Sequence, residues 1–275
     1  MAKKYKSLAA FAAVTGVVAI ANRLIFKSNE KKSRRGLAPD FNFNFPHTEL
    51  RFDWRYGTAK YVVCGEGEPV VLIHGAAIGS GLHDWIKIIP HLAKRRRVFA
   101  VDLPGYGLSD KPKLTYSSYL YASFVNDFIA GCVGGGACVI AAGESAGFVA
   151  AGHALRPELY MKLMVIGVKK PYRLPRFLSR PLGAFIMLPV YGTLAYHLLA
   201  SKTAAGPAGR ILSRCGGIGA KFPVSALMKN HLHVDLSRFA GKLKIPFRIE
   251  SDHGNGTSPS ARRSLCRAVA DFILN

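Results

Sequence analysis

The apolar residues of this chain fall into short, nearly unbroken runs that are separated by segments with helical spacing. The clearest runs have four to six apolar residues and are bounded by charged residues, glycine or proline. Runs of this kind are typical of strands that are buried on both faces of a sheet. They predict strands at 70–73, 98–101, 137–142 and 163–168, with a fifth near 247–251.

Helical periodicity fills the space between these runs. In the segment YSSYLYASFVNDFIAG the apolar positions follow the spacing i, i+3, i+4, i+7, i+8, at Tyr121, Phe124, Val125, Phe128 and Ile129. Alternating strands and helices with continuous apolar strands predict an α/β fold, a mostly parallel sheet with helices on both faces. The alternating pattern of ELRFDWRYGTAKYVVCG, which comes earlier, predicts an antiparallel hairpin at the edge of the sheet.

The N-terminal segment has a character of its own. Three lysines, at positions 3, 4 and 6, precede an uncharged stretch from Ser7 to Asn22. A bilayer core of about 30 Å needs about 20 apolar residues, and residues 1–26 reach that length if Arg23 extends to the interface. We expect an uncleaved membrane anchor here, followed by a linker over 27–48. A cleaved signal or targeting peptide and a soluble helix packed on the body stay open as alternatives.

The net charge of +22 is concentrated in two parts of the chain. Residues 1–35 have nine Lys or Arg and one acid, a balance of +8, and residues 168–248 have fourteen and one, a balance of +13. The intervening residues 36–167 are close to neutral, at +1. No recognisable nucleic-acid module accompanies the charge, so we expect an anionic lipid surface or an anionic substrate as partner rather than nucleic acid.

The five cysteines are scattered, without C-x-x-C or a His/Cys cluster at metal-ligand spacing, so neither a disulfide framework nor a metal site is expected.

The pentapeptide GESAG, at 143–147, follows one predicted strand and precedes a segment that looks helical. Strand, G-x-S-x-G, helix is the context in which a serine is exposed at a sharp turn above the sheet. The two glycines are expected to let strand and helix approach closely. We therefore predict that Ser145 is a nucleophile.

The segment IHGAAIGS is suited to an oxyanion hole, because Gly75 and Ala76 leave room for a backbone N–H to face an acyl oxygen. The N–H of Ala146 is the expected second donor. His74 is expected to brace this loop, and Asp102, in DLPGYGLSD, to hold the turn after its strand; neither is expected to be catalytic.

The order strand-HG, D-x-P-G-x-G-x-S, strand-G-x-S-x-G resembles the α/β-hydrolase superfamily, in its small esterase, lipase and haloperoxidase-like branch. The resemblance implies an α/β-hydrolase core over 49–168, an inserted helical cap over 169–242 and a C-terminal part of the core over 243–275. Haloalkane dehalogenases and epoxide hydrolases of this superfamily use an aspartate as nucleophile. A serine at position 145 therefore disfavours both of these activities.

The C-terminal segment departs from that family pattern. The family places an acid after the seventh strand and a histidine after the eighth, but Asn255 stands at the acid position and Asp252 comes three residues earlier. We assign Asp252 as the acid. The eighth strand and its histidine are not found, so the last strand is predicted to be missing. His253, His231 and His233 are the alternatives for a base, and His153 is expected to pack.

The resemblance implies a serine hydrolase that acts on carboxylic esters or lipids through an acyl-enzyme on Ser145, without metal or organic cofactor. The N-terminal segment adds the expectation that it acts at a membrane. The alternative from another class is an inactive binding protein, or a shortened isoform, with the same fold.

Overall fold

In the part of the chain that the structure describes, seven strands form one mixed sheet in the order β1-β2-β4-β3-β5-β6-β7. They are β1 (Thr48–Trp54), β2 (Gly57–Cys64), β3 (Pro69–Ile73), β4 (Arg97–Val101), β5 (Ala137–Ala142), β6 (Tyr160–Ile166) and β7 (Phe247–Glu250). The first two strands form the predicted antiparallel hairpin at the edge, and β2 is also antiparallel to β4. The other five strands, β3 to β7, are parallel to one another. The predicted α/β fold with a mostly parallel sheet is confirmed.

A computed structural model describes part of the chain. The described residues are 13–24, 43–77, 79–167, 176–188, 190–200, 220–229, 231–240, 243, 245–250, 268–269 and 271–272. Their helices are α1 (13–24), α2 (Ile89–Leu92), α3 (Ser118–Phe128), α4 (Ser145–Leu155), α5 (Arg176–Ile186), α6 (Tyr191–Ala200), α7 (Lys221–Met228) and α8 (Ser237–Ala240). The eighth strand was expected between the acid loop and the last helix, in a segment that lies outside the described residues, so its predicted absence stays a prediction.

Both faces of the sheet are buried, because successive residues of each central strand join opposite cores. Val71 and Ile73 of β3 pack with aromatic side chains of α3 and α4, such as Phe124 and Phe148. Val70 and Leu72 point the other way, into a second core that includes Trp85, Ile89 and Val269. This two-sided burial explains why the strands have continuous apolar sequences instead of alternating ones.

Two elements end earlier than the apolar sequence pattern predicts. Strand β6 ends at Ile166 rather than at 168, because Gly167 adopts a left-handed conformation with φ 69°. Helix α3 ends at Phe128, and a π-turn over 129–133 follows, which ends at Gly134 with φ 84°. Glycine takes this backbone conformation without steric cost, so it sets where the regular element stops.

Helices α5 to α8 lie between β6 and β7, in the segment predicted as the cap. Helix α5 packs on α7, and the hydroxyl of Ser225 donates a 2.8 Å hydrogen bond to the carbonyl of Gly183. Cap residues such as Phe222 and Leu232 belong to the same core as the candidate site residues Ala76 and Ala146. Within the described residues, no helix has both the length and the apolar character needed to cross a bilayer, so the predicted transmembrane helix is not found there.

Candidate active site

Ser145 lies where the GESAG motif predicts, between the end of β5 and the body of α4. Strand β5 ends at Ala142, Gly143 adopts the left-handed conformation with φ 55°, and Ser145 is the first residue of α4. The main-chain N–H of Gly143 donates to the carbonyl of Ile166, which fixes the turn to the neighbouring strand β6. The backbone conformation that favours glycine in this turn therefore falls on Gly143.

The two glycines of the motif were expected to let strand and helix approach closely, but the structure gives them other roles. A Cβ on Gly143 would meet nothing closer than the Gly167 carbonyl, at 4.0 Å. A Cβ on Gly147 would lie 2.5 Å from the carbonyl oxygen of Val234 and 2.7 Å from its Cβ. Gly147 thus accommodates the segment 231–236, which connects α7 to α8 and passes beside the start of α4.

The Ser145 hydroxyl is fully buried and donates a 2.5 Å hydrogen bond to the main-chain carbonyl of His74. This short bond joins the end of β5 to the end of β3, its neighbour in the sheet, where Ile73 pairs with Ala141. No imidazole nitrogen of the described histidines contacts this hydroxyl. Ser145 therefore has the position of a nucleophile but is bonded to a backbone oxygen.

The candidate oxyanion residues lie in the two segments that the Ser145 hydrogen bond joins. Gly75 and Ala76 directly follow the end of β3, and Ala146 is the second residue of α4. The Tyr106 hydroxyl donates a 2.8 Å hydrogen bond to the Ala76 carbonyl, which connects this loop to the loop after β4. The Ala146 N–H donates a long hydrogen bond, 3.3 Å, to the Gly143 carbonyl, and it lies at the positive end of the helix dipole.

His74 has the structural role predicted for it. One ring nitrogen, Nδ1, lies 2.7 Å from the Gly75 carbonyl, and the other, Nε2, accepts the N–H of Leu103 at 3.0 Å. Since Nε2 is an acceptor, the single proton is on Nδ1 and the ring is neutral. Burial lowers the pKa of His74, which keeps it neutral. Both nitrogens are engaged, so His74 is not available as a base for Ser145.

Asp102 holds the turn after β4, again as predicted. Its two carboxylate oxygens accept the backbone N–H groups of Leu82 at 2.7 Å and Leu108 at 2.8 Å. Its main-chain carbonyl accepts the hydroxyl of Ser109 at 2.6 Å. A carboxylate that accepts several backbone donors organises a loop, and this one ties the loop after β4 to the loop after β3.

The described histidines are distributed over several regions. His231 uses its backbone, donating to Ala226 and accepting from Ser118, and His233 is exposed beside Val234. His153 is buried on α4, with its ring edge-on to Tyr160. Neither ring nitrogen of His153 has a hydrogen-bond partner among the described residues, and burial lowers its pKa. Asp252, His253 and Asn255 lie outside the described residues.

Sequence reasoning missed two contributors to this site. Tyr106, which supports the Ala76 carbonyl, stands between two glycines in the loop after β4, and that spacing is the only local signal for it. The approach of Val234 to Gly147 has no local signal, because the two residues lie on elements far apart in the chain.

No group of three or more His, Cys, Asp or Glu side chains suited to a metal ion occurs within the described ranges.

Comparisons with known proteins agree with this fold. A family model for the alpha/beta hydrolase fold matches residues 68–154, which include β3, β4, β5 and nearly all of α4. The solved structure of an enol-lactonase from Burkholderia xenovorans LB400 superposes with a TM-score of 0.62 at 15% identity, and covers 82% of this chain and 100% of that one.

Curated relatives match over shorter stretches. A 2-hydroxy-6-oxo-6-(2'-aminophenyl)hexa-2,4-dienoic acid hydrolase of Metapseudomonas resinovorans is 33% identical over 110 residues, 39% of this chain and 38% of the relative. A haloalkane dehalogenase of Mesorhizobium japonicum is 40% identical over 73 residues, 26% of this chain and 23% of the relative. The chain thus matches well under half the length of these relatives. The mixed sheet, the G-x-S-x-G turn at the end of β5 and these matches together show that the chain has the α/β-hydrolase fold.

Proposed function

We propose that the chain is a serine hydrolase that cleaves carboxylic esters, including lipid esters, through an acyl-enzyme on Ser145. The observation that carries this proposal is the position of Ser145, which lies between the end of β5 and the start of α4 and beside the Gly75–Ala76 turn. A serine at this turn, with backbone N–H groups close by, is the arrangement that acyl transfer needs.

The proposed reaction begins with rotation of the Ser145 side chain away from the His74 carbonyl. The hydroxyl oxygen then attacks the ester carbonyl and its proton passes to a base. The oxyanion that forms accepts hydrogen bonds from the N–H groups of Ala76 and Ala146. The alcohol departs with a proton, and water hydrolyses the acyl-serine in a second, equivalent step. Neither step calls for a metal or an organic cofactor.

The proposed acid and the first candidate for the base lie outside the described residues. Asp252 is proposed as the acid, and His253, which follows it directly, as the first candidate for the base. His74 does not compete for this role, since both of its ring nitrogens are engaged. His233 is the second candidate, because its neighbour Val234 packs against Gly147, two residues from Ser145.

The curated relatives support hydrolysis as the class of reaction, but their substrates differ. One is named as a hydrolase of a dienoic acid and another as a haloalkane dehalogenase. Dehalogenases of this superfamily use an aspartate as nucleophile, and Ser145 occupies that position here. An ester is therefore a better candidate substrate for this chain than a haloalkane.

Fluorophosphonate labelling followed by intact mass measurement tests the proposal. Wild-type protein is expected to gain one adduct, and Ser145→Ala none. Ser109→Ala is the matched control, since Ser109 is also a buried serine bonded to a main-chain carbonyl, and it should label as the wild type does. A folded wild-type protein that gains no adduct contradicts the ester hydrolase proposal.

One observation favours a second candidate, a non-catalytic binding protein. The Ser145 hydroxyl is fully buried and donates to a backbone oxygen, a state in which it is not aligned for attack. Protein that fails to label but is stabilised against heat by long-chain esters or their non-hydrolysable ether analogues would support this second function.

A further inference from the structure

Helix α1 directs the polar side chains of Thr15 and Asn22 toward the protein, while most of its large apolar side chains are exposed. The amide of Asn22 donates a 2.8 Å hydrogen bond to the carbonyl of Val190, and the hydroxyls of Thr15 and Tyr191 lie 3.1 Å apart. The opposite side carries exposed large apolar residues, which are Val14, Val17, Ile20 and Leu24. A helix on a soluble surface has the reverse arrangement, with its apolar stripe against the core.

Helix α5 and the two residues after it show the same inversion. Five of their exposed residues are apolar and follow helical spacing, namely Phe177, Pro181, Ala184, Phe185 and Leu188; Leu178 and Arg180 are exposed as well. Ser179 and Gly183 are buried instead, on the side that packs against α7. Phe177 has 80% of its surface exposed, a large cost for an aromatic side chain in water.

Helix α1 lies close to the segment that follows α5. Helix α1 is bonded to Val190 and Tyr191, only a few residues after the end of α5, and Tyr191 is itself partly exposed. We call the exposed apolar residues of these elements the apolar face, defined as Val14, Val17, Ile20, Leu24, Phe177, Phe185, Leu188 and Tyr191. Soluble monomers rarely expose apolar patches of this extent, and such patches mark contacts with partners or membranes.

Charge identifies the partner. The parts of the chain that contribute the apolar face are those with the excess positive charge, +8 over 1–35 and +13 over 168–248. Arg23 on α1 and Arg180 on α5 are exposed beside the apolar residues. A second copy of the chain would bring equal positive charge to the contact, and a nucleic acid would leave the phenylalanines in water. An anionic lipid surface satisfies both the apolar and the charged residues.

We propose that α1 and α5 bind together to the surface of an anionic bilayer, with the apolar face in the interfacial region and the arginines at the headgroups. The cap is then itself a membrane-binding element, in addition to the N-terminal segment. The twelve described residues of α1 extend over about 18 Å at 1.5 Å per residue, and their outward apolar stripe suits a helix that lies in the plane of the interface. This proposal concerns binding alone and does not depend on the chemistry of Ser145.

Tryptophan fluorescence of the full chain with vesicles tests whether the cap inserts into the bilayer interface. The native Trp54 and Trp85 are buried, so a tryptophan placed at Phe177 reports on the apolar face. With vesicles that contain phosphatidylglycerol and brominated acyl chains, Phe177→Trp is expected to show a blue shift and quenching. Tyr119→Trp is the matched control, because Tyr119 is an aromatic residue on α3 that is 71% exposed, and its variant should show neither.

Partitioning provides a second measurement that leaves the N-terminal segment intact. The double substitution Phe177→Ser and Phe185→Ser is expected to lower the partition coefficient for phosphatidylglycerol vesicles by about tenfold or more, because two aromatic side chains no longer enter the interface. The control pair Leu155→Ser and Met161→Ser removes exposed apolar residues from α4 and β6 and should leave partitioning unchanged.

Three results overturn the proposal. Vesicle binding without quenching of Phe177→Trp would show that the N-terminal segment binds alone. Blue-shifted emission of Phe177→Trp before vesicles are added would show that the chain itself or a second copy covers the face, and sedimentation would separate those two. Equal binding at low salt to neutral phosphatidylcholine and to phosphatidylglycerol vesicles would exclude anionic lipid as the partner.

Discussion

The hydroxyl of Ser145 donates a 2.5 Å hydrogen bond to the main-chain carbonyl of His74, and this bond connects the two strand ends that form the candidate site. The ring of His74 extends the connection to a third strand end, because it accepts the N–H of Leu103 after β4. His74 therefore holds Ser145 with its backbone carbonyl and the loop after β4 with its side chain. Changes at His74 should affect both stability and labelling of Ser145.

Replacing His74 with alanine should destabilise the protein. The buried N–H of Leu103 would lose its acceptor and a cavity would remain, which together lower the free energy of unfolding by about 2–4 kcal/mol. Fluorophosphonate labelling of Ser145 should slow as well, since the Gly75–Ala76 turn loses its support. Urea unfolding gives the first quantity and the rate of mass increase the second. The control His47→Ala changes a partly exposed histidine and should shift the midpoint little; an equal loss in both variants would contradict the bracing role.

His153 should be dispensable and in fact unfavourable. Both ring nitrogens are buried without a partner among the described residues, and an unsatisfied buried polar group costs about 1–3 kcal/mol. His153→Leu keeps a similar volume and removes the polar atoms, so we expect a higher free energy of unfolding by about 1–2 kcal/mol. His91→Leu, at an exposed position on α2, is the control and should give no such gain. A destabilised His153→Leu would reveal a partner for the ring.

The same two histidines predict a dependence of stability on pH. Burial lowers the pKa of both His74 and His153 below the ordinary 6.5 that they regain on unfolding. Below about pH 6.5 the unfolded chain therefore binds protons that the folded chain does not. Their stabilising contribution is complete above that pH and declines as pH falls toward the folded-state pKa values.

Urea unfolding between pH 7.5 and pH 5.5 measures this dependence. The free energy of unfolding should fall on acidification, by at most about 1.4 kcal/mol per pH unit for each histidine. His153→Leu removes one of the two groups, so its decline should be smaller than that of the wild type. A decline of equal steepness in both proteins would mean that His153 does not contribute.

Local sequence patterns were sufficient for most of the fold and for the nucleophile turn. The apolar runs at 70–73 and 98–101 lie in β3 and β4, and the G-x-S-x-G turn lies between β5 and α4, because each depends on neighbouring residues alone. The contact between Gly147 and Val234 could not be predicted in that way, since it joins the core to the cap. The outward apolar stripe of α5 could not be predicted either, because helical periodicity gives a face but not the direction in which it points.

Gly143 should tolerate asparagine better than alanine. Its φ of 55° lies in the left-handed region, where a residue with a Cβ costs about 1–2 kcal/mol but asparagine is accepted more readily. Space is not the constraint, since the nearest atom to a new Cβ is 4.0 Å away. The midpoint of urea unfolding should therefore fall in the order wild type, Gly143→Asn, Gly143→Ala. Equal loss in the two variants would indicate a steric conflict rather than backbone strain.

Gly147→Ala should destabilise the protein for a different reason, which is collision with the cap. Alanine favours a helix by about 1 kcal/mol over glycine, so the intrinsic preference points to stabilisation. The new Cβ, however, would lie 2.5 Å from the Val234 carbonyl oxygen, and the cap segment would have to move, at a cost of about 1–3 kcal/mol. Urea unfolding measures the balance, and we expect a net loss.

Two further variants identify the cause of that loss. Gly16→Ala is the matched control, because a Cβ on this helical glycine of α1 meets nothing within 4 Å, and it should give no loss. Val234→Ala should fail to rescue Gly147→Ala, since alanine retains both the carbonyl oxygen and the Cβ that the new methyl group meets. Full rescue would show that only the outer methyl groups of Val234 are in conflict, and that the cap segment lies farther from the nucleophile turn than its backbone position indicates.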